Sequence, residues 1–343
     1  MRSAFGQDFD LVGTYLNTPS IGIPPVAVAD TVASAVRQWQ RGETQPRDFD
    51  RPVRDAREAF ATLIGVPAGN VAFGGNLSAV LGLVAATVPD GARVLTASGE
   101  FTSLTFPFAA QVDRGVSVRE VDLDDVPALA GDHDVVAVSV VQSADGRVVD
   151  LDALRAATAD TPTLVVLDAT QAAGWLPLHL GWAGVVAASA YKWLMAPRGA
   201  AWMALRDDVL ATVRPLVANW YAGDDPWQSI YGLPLRLAPD ARRLDASPAW
   251  FSHLGAGTAL PWLTSLDMSA VRDHCVGLAD ALRTHLDLPP AGSAIVSLSA
   301  PGTAERLAAA DVVASVRGGA ARVGFHLYND EDDLDRVVAA LGT

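Results

Sequence analysis

A chain of 343 residues, half of them hydrophobic, with 29 glycines and 21 prolines, can build one large domain and a smaller one around a sizeable core. A formal charge of −14 without any basic run argues against a nucleic-acid partner, and its plain reading is solubility. The single cysteine, Cys275, excludes an intrachain disulfide framework and fits a reducing cytoplasm. The start, "MRSAFGQDFDLVGTYL", has acids where a secretory signal needs a continuous apolar core. No apolar run reaches the roughly 18 residues that span a bilayer. The expectation is a cytoplasmic protein with no nucleic-acid or membrane partner.

Strand-like and helix-like runs alternate from about residue 70 to about residue 215. "NVAFGG" reads as a strand and "NLSAVLGLVAATV" as the helix after it. "ARVLTAS" is a strand, "TFPFAAQVDRG" helical, and "VSVREVD" a strand again. "DVVAVSVV" and "TLVVLDA" are β-branched runs without polar alternation, as expected of strands buried on both faces. Between them "DLDALRAAT" has helical spacing, and "GVVAASA" and "AAWMALR" close the series. This order predicts an α/β fold: a mostly parallel sheet of seven strands with helices on both faces.

After about residue 215 comes a Pro-, Gly- and Trp-rich connection, too aromatic for a disordered linker. Helical patterns follow around 255–268 and 269–286. Then "AIVSLSA", "TAERLAAADV", "VASVRGG", "AARVGFHLY" and "EDDLDRVVAALG" read as strand, helix, strand, strand, helix: a small C-terminal α+β domain. The expected division is a large domain over 15–235 and a small one over 236–343, with 1–14 packed on the latter.

Ligands of open α/β sheets sit at the carboxyl ends of the strands. There "TLVVLD" ends in Asp168, and Lys192 follows "VVAASAY". A carboxylate in that place often only caps the next helix, and a lysine is often only exposed. Together they fit a pyridoxal phosphate cofactor. A lysine among apolar neighbours has a lowered pKa and can attack an aldehyde. A buried aspartate needs a cation, which a protonated pyridine supplies. "FGGNLSAVLGL" passes through glycines into a helix start near Asn76, where backbone N–H groups and the Ser78 hydroxyl make an anion site. A glycine turn with an Asn or Ser N-cap would look the same. Neither G-K-[ST] nor G-x-G-x-x-G is present, so nucleoside-triphosphate and dinucleotide sites have little support.

In this order these segments resemble the class V aminotransferase family of fold-type I pyridoxal phosphate enzymes. That family includes cysteine desulfurases, kynureninases and isopenicillin-N-epimerase-like proteins. "YLNTPSIGIPP" is similar to its substrate-side loop, with Asn17 and Gly22 in place. The phosphate turn falls on Asn76, Leu77 and Ser78, where the family commonly has Gly-Thr-Thr. "SGEFTSLTFP" puts Phe101 at the position that stacks on the cofactor, with a core Phe as the alternative. "VSVVQSADGRVVDL" has Val140 for the family's histidine, which leaves Gln142 or Ser143 to line the site. "LDATQAAG" implies Asp168 on the pyridine nitrogen and Gln171 on the ring hydroxyl or Schiff base. "SAYKWL" implies Lys192 as the Schiff-base lysine, with Ser189 and Tyr191 on the phosphate. "ARRLDASPAW" implies Ser247 reaching the phosphate of a neighbouring subunit, hence a homodimer with shared sites. "AARVGFHLYN" implies Arg322 as a bidentate partner of the substrate α-carboxylate.

The resemblance implies chemistry on a small-molecule α-amino acid through an external aldimine, with Lys192 as general base. An aminotransferase is the leading reading. A C–S lyase, a kynureninase-like enzyme or an epimerase is the runner-up, and an inactive binding protein on the same fold is a rival. Cys275 lies in an amphipathic helix, and no mobile cysteine precedes the Arg322 segment, so transfer through a persulfide is not expected. The six histidines show no ligand spacing, and no metal is expected. Trp220 and Tyr221 either border the pocket or pack in the core.

Overall fold

The computed structural model describes residues 1–342. The chain opens on a hairpin, β1 (Arg2–Ala4) with β2 (Gln7–Phe9), followed by β3 (Thr14–Tyr15). Two helices come next, α1 (Val26–Gln40) and α2 (Asp50–Ile64). In α2 the buried Val53, Ala56, Phe60, Leu63 and Ile64 recur at helical spacing, and Gly65 ends the helix in the left-handed conformation.

From residue 71 the chain alternates as the sequence predicts. It forms β4 (Val71–Gly74), α3 (Leu77–Ala85), β5 (Arg93–Ala97), α4 (Thr102–Ala109), β6 (Ser117–Val121) and α5 (Val126–Leu129). Then come β7 (Val135–Ser139), α6 (Leu151–Thr158), β8 (Leu164–Asp168), β9 (Val185–Ser189), β10 (Ala201–Leu205) and α7 (Asp207–Leu210). The seven strands make one sheet in the order β4-β10-β9-β8-β7-β5-β6. β10 alone is reversed: it runs antiparallel to both β4 and β9, while the remaining pairs are parallel.

Consecutive strand residues point to opposite faces. Accordingly Val136, Val138, Leu167, Val186, Ala188 and Trp202 join one core with α2, while Val135, Ala137, Val166, Val185, Ala187 and Met203 join another with α3 and α4. Both faces are covered, which is why these runs lack polar alternation.

Beyond the irregular connection come α8 (Trp250–Thr264) and α9 (Met268–His285), the latter capped by Asp267, whose side chain accepts from the Ser269 and Ala270 N–H groups. The expected boundary at 235/236 falls inside the connection, and α8 beyond it packs on α1 and α2. The rest forms β11 (Ile295–Leu298), α10 (Thr303–Ala309), β12 (Val312–Val313), β13 (Ser315–Arg317), β14 (Ala320–Gly324) and α11 (Glu331–Leu341). The antiparallel sheet β11-β14-β13 shares a core with α9 and α11. The N-terminal segment is fastened here: β3 pairs with β12, and Arg2 forms an ion pair with Asp333. Among the described residues no helix is long and apolar enough to cross a membrane.

Candidate active site

The carboxyl ends of β4, β5, β7, β8 and β9 meet at one cleft of about 170 Å³. The turn after β4 brings Asn76, Leu77 and Ser78; that after β5 brings Phe101; β8 brings Asp168 and Gln171; β9 brings Ser189, Tyr191 and Lys192. Residues more than 100 positions apart thus converge because parallel strands end on the same side.

At the start of α3 the Asn76 side chain accepts from the Ala79 N–H (3.0 Å) and from the Ser78 hydroxyl (2.8 Å). The Leu77 and Ser78 N–H groups lie in the first turn, where no intrahelical acceptor exists. They remain for an anion.

Lys192 is the only lysine of the chain. Burial lowers its amine to about 8, against the attraction of Asp168 and with the repulsion of Arg322, Arg317 and Arg198. Its Nζ lies 5.0 Å from the Phe101 ring centroid and 5.8 Å from that of Tyr191. The backbone of this turn is held on three sides. The Gly22 N–H donates to Tyr191 O (2.9 Å), the Trp193 indole donates to Gln171 Oε1 (2.7 Å), and His326 Nε2 meets Trp193 O (3.0 Å). Gly22 is required: a Cβ there would lie 1.9 Å from Lys192 O.

Asp168 is 4% exposed. Burial pushes its carboxyl up to about 6, opposed by the Thr170 hydroxyl and N–H and by Lys192. Thr170 donates its N–H to Asp168 Oδ1 (2.8 Å) and accepts the Ser189 N–H on its hydroxyl (3.1 Å), tying the ends of β8 and β9 together. Phe101 is 39% exposed, so it is not a core residue.

Gln171 lines the cleft and is anchored by three hydrogen bonds. Its Nε2 donates to Pro19 O and to Ser143 Oγ, both 3.0 Å, and its Oε1 accepts from Trp193. The amide braces the N-terminal loop, the turn after β7 and the lysine turn. The second lone pair of Oε1 is left for a further donor such as a ring hydroxyl. Of the pair left open after Val140, Ser143 lines the cleft and Gln142 turns inward to Glu100.

Arg322, on β14, is 1% exposed and is drawn down to about 10 by burial and by Arg317. Its guanidinium donates to Ser315 Oγ (3.3 Å), to the Ser143 carbonyl and hydroxyl, and to Ser20 Oγ (2.9 Å). It approaches the cleft through Ser143. Asn17 bridges to Gly324 on the same strand, and its side-chain oxygen is buried without a partner. Neither Asn17 nor Arg322 lines the cleft itself, and Ser247 stands exposed outside it. Trp220 and Tyr221 also lie elsewhere: Tyr221 lines a separate hollow with Arg57 and Asp245, which form a buried ion pair beneath β4.

Sequence reasoning missed Glu100, Ser139, Thr170 and Arg198. Glu100 is a buried carboxylate that accepts from the Phe101 N–H (2.8 Å), the Ser139 N–H (2.8 Å) and hydroxyl (2.6 Å), and Gln142 Nε2 (2.9 Å). An acid beside an aromatic in "SGEFTS" is a faint signal, because its partners arrive from a strand about forty residues away. Arg198 lines the cleft and lies 5.0 Å from the Tyr191 ring centroid. Cys275 is buried on α9 outside this lining, with its Sγ 4.0 Å from His326 Nδ1, and burial raises its thiol.

The donor set fits a pyridoxal group. It offers an amine kept reactive by burial, a buried carboxylate without a guanidinium partner, free N–H groups at a helix start, and an exposed aromatic face beside the amine. The family profile described as Aminotransferase class-V matches residues 33–305. The chain belongs to the class V aminotransferase family and is an enzyme whose cofactor is pyridoxal phosphate. It is 28% identical to a Bacillus subtilis protein named uncharacterized aminotransferase YcbU, over 91% of this chain and 90% of that one. It is 27% identical to the kynureninase of Deinococcus radiodurans, over 80% and 71% respectively. A solved cystine C–S lyase in complex with cysteine persulfide superposes with a TM-score of 0.84 at 19% identity, over 95% of this chain and 96% of that one; at that identity the likeness concerns the fold.

Proposed function

We propose that the enzyme is an aminotransferase acting on a small-molecule α-amino acid, with Lys192 as its catalytic residue. The observation that carries this reading is the sole lysine of the chain, buried with its amine near 8, in one cleft with an equally buried Asp168. When bound, pyridoxal phosphate supplies an aldehyde for amines and a cationic ring that stores an electron pair. Asp168 would hold the ring nitrogen, the Leu77 and Ser78 N–H groups with Ser189 and Tyr191 the phosphate, and Phe101 one face of the ring. Lys192 near 8 accepts a proton from the substrate α-carbon and returns it, at near-neutral pH. Transfer rather than persulfide chemistry is supported by the thiol inventory: the one cysteine is buried and does not line the cleft.

The working unit proposed is a homodimer in the cytoplasm. Leu216, Val217, Ile230, Tyr231, Leu233 and Leu235 are exposed along the irregular connection, an apolar surface of the kind a second copy covers. Ser247 faces outward, toward a neighbour's phosphate in this reading.

Purified protein should absorb near about 420 nm, as this cofactor does on lysine. Borohydride should fix the label on Lys192, and Lys192→Ala should abolish it. With a panel of amino acids, exchange that depends on added α-keto acid supports transfer. Release of ammonia or sulfide without keto acid overturns it in favour of a lyase, the activity class of the solved C–S lyase; change of stereochemistry alone would mean an epimerase.

A further inference from the structure

The hairpin joining β13 to β14 carries Arg317 at its tip, directly before Gly318 and Gly319. Arg317 is exposed. Its guanidinium donates to Val316 O (2.7 Å) and to Ser20 Oγ (3.2 Å). The same Ser20 hydroxyl accepts from Arg322 at 2.9 Å. Two guanidinium groups therefore meet on one neutral hydroxyl. Among the described residues neither forms an ion pair with a carboxylate, although the chain carries 39 acidic residues and a charge of −14.

Such a pair is repulsive: burial above all, and then Arg317, lowers Arg322, and Arg317 adds to the lowering of Lys192 that burial and Arg322 produce. A fold that required only a strut for the Ser20 loop could use a neutral donor at the hairpin tip. A second cation in this place is compensated when an anion arrives. Arg322 stands inward, against Ser143 of the cleft wall, and Arg317 stands one step further out, across the Ser20 hydroxyl. The order from the lysine outward suits a ligand with one acid group near the reacting carbon and another at its far end.

We propose that the substrate is an α-amino acid with a second carboxylate on its side chain, and that Arg317 is the residue that selects it. This rests on the reading of the cleft as an amino-acid site. The guanidinium fork binds a carboxylate through two parallel hydrogen bonds. Arg198, on the Tyr191 side of the cleft, is the competing cation.

The test uses cofactor-loaded protein and calorimetric titration with acids that lack an amine, so that binding is read without turnover. Succinate and glutarate should bind roughly 10- to 100-fold more tightly than butyrate, the margin of one charge-assisted pair. Arg317→Ala should erase that margin and leave butyrate binding unchanged, whereas Arg198→Ala should preserve it. Equal binding of mono- and dicarboxylates by the unaltered protein overturns the proposal. So does an equal loss of both acids in Arg317→Ala, which would make Arg317 only a support for Ser20, or loss of the margin in Arg198→Ala instead. Borohydride labelling of Lys192 on the same samples separates the two readings. A labelled lysine with no dicarboxylate margin sinks the substrate class alone, and an unlabelled lysine sinks the cofactor site.

Discussion

Replacing Lys192 by methionine tests the electrostatic account of the cleft without reference to turnover. Methionine has nearly the length of the lysine stem and no charge. The amine stands at about 8 in the folded chain against 10.5 in its ordinary state. That difference corresponds to about 3 kcal/mol, at 1.36 kcal/mol per tenfold change in proton affinity. Because the folded-state value is the lower one, the folded chain releases this proton first. Between about 8 and 10.5 the unfolded chain therefore binds more protons, and stability must rise with pH over that window. Below 8 both states are protonated and the full cost of the buried charge is present. Lys192→Met should thus stabilise the cofactor-free protein at pH 7. The gain is reduced because Asp168 loses the cation that opposes its protonation, which leaves a net of about 1–3 kcal/mol. The assay is urea unfolding of both proteins at pH 7, 8.5 and 10. The unaltered protein should gain stability along this series and the variant should not. A variant less stable at pH 7, or one with the same pH slope, would refute the claim that the Lys192 charge is buried at a net cost despite Asp168.

Two further outcomes follow from contacts around the same cleft. Glu100→Ala strips the acceptor from four donors, including the Phe101 and Ser139 N–H groups, and should cost about 3–5 kcal/mol. In Glu100→Gln the loss should be smaller, and both are read from the urea midpoint. Gly22→Ala drives a methyl into the Lys192 carbonyl and should cost more than about 3 kcal/mol. The expected sign is loss of borohydride labelling at Lys192 in protein that still folds, with limited proteolysis as the check on folding; unchanged labelling would mean the loop is free to retreat.

Much of the architecture was legible because its signals are local. The β-branched runs "DVVAVSVV" and "TLVVLDA" read as doubly buried strands, and β7 and β8 lie side by side in the sheet. The helices over 26–40 and 50–64 precede the region where alternation begins and were not read. The pattern placed the next pair around 255–268 and 269–286, whereas they run over 250–264 and 268–285. Pro261 within α8 and the capping Asp267 before α9 account for the blurred boundary.

By itself the sequence determined the strand-and-helix alternation and, through the rule that parallel strands deliver their carboxyl ends to one side, the meeting of Asp168 with Lys192. Side-chain periodicity and strand direction are properties of short segments, so they can be read along the chain. Only the tertiary structure decided how hydrogen bonds are shared there: that Gln171 braces three segments, that Glu100 gathers donors from β7, and that Arg317 and Arg322 meet on Ser20. Those partners lie tens to hundreds of residues apart. Which of several eligible donors reaches a given acceptor depends on loop paths and close approaches, such as Gly22 against Lys192, that no local pattern encodes.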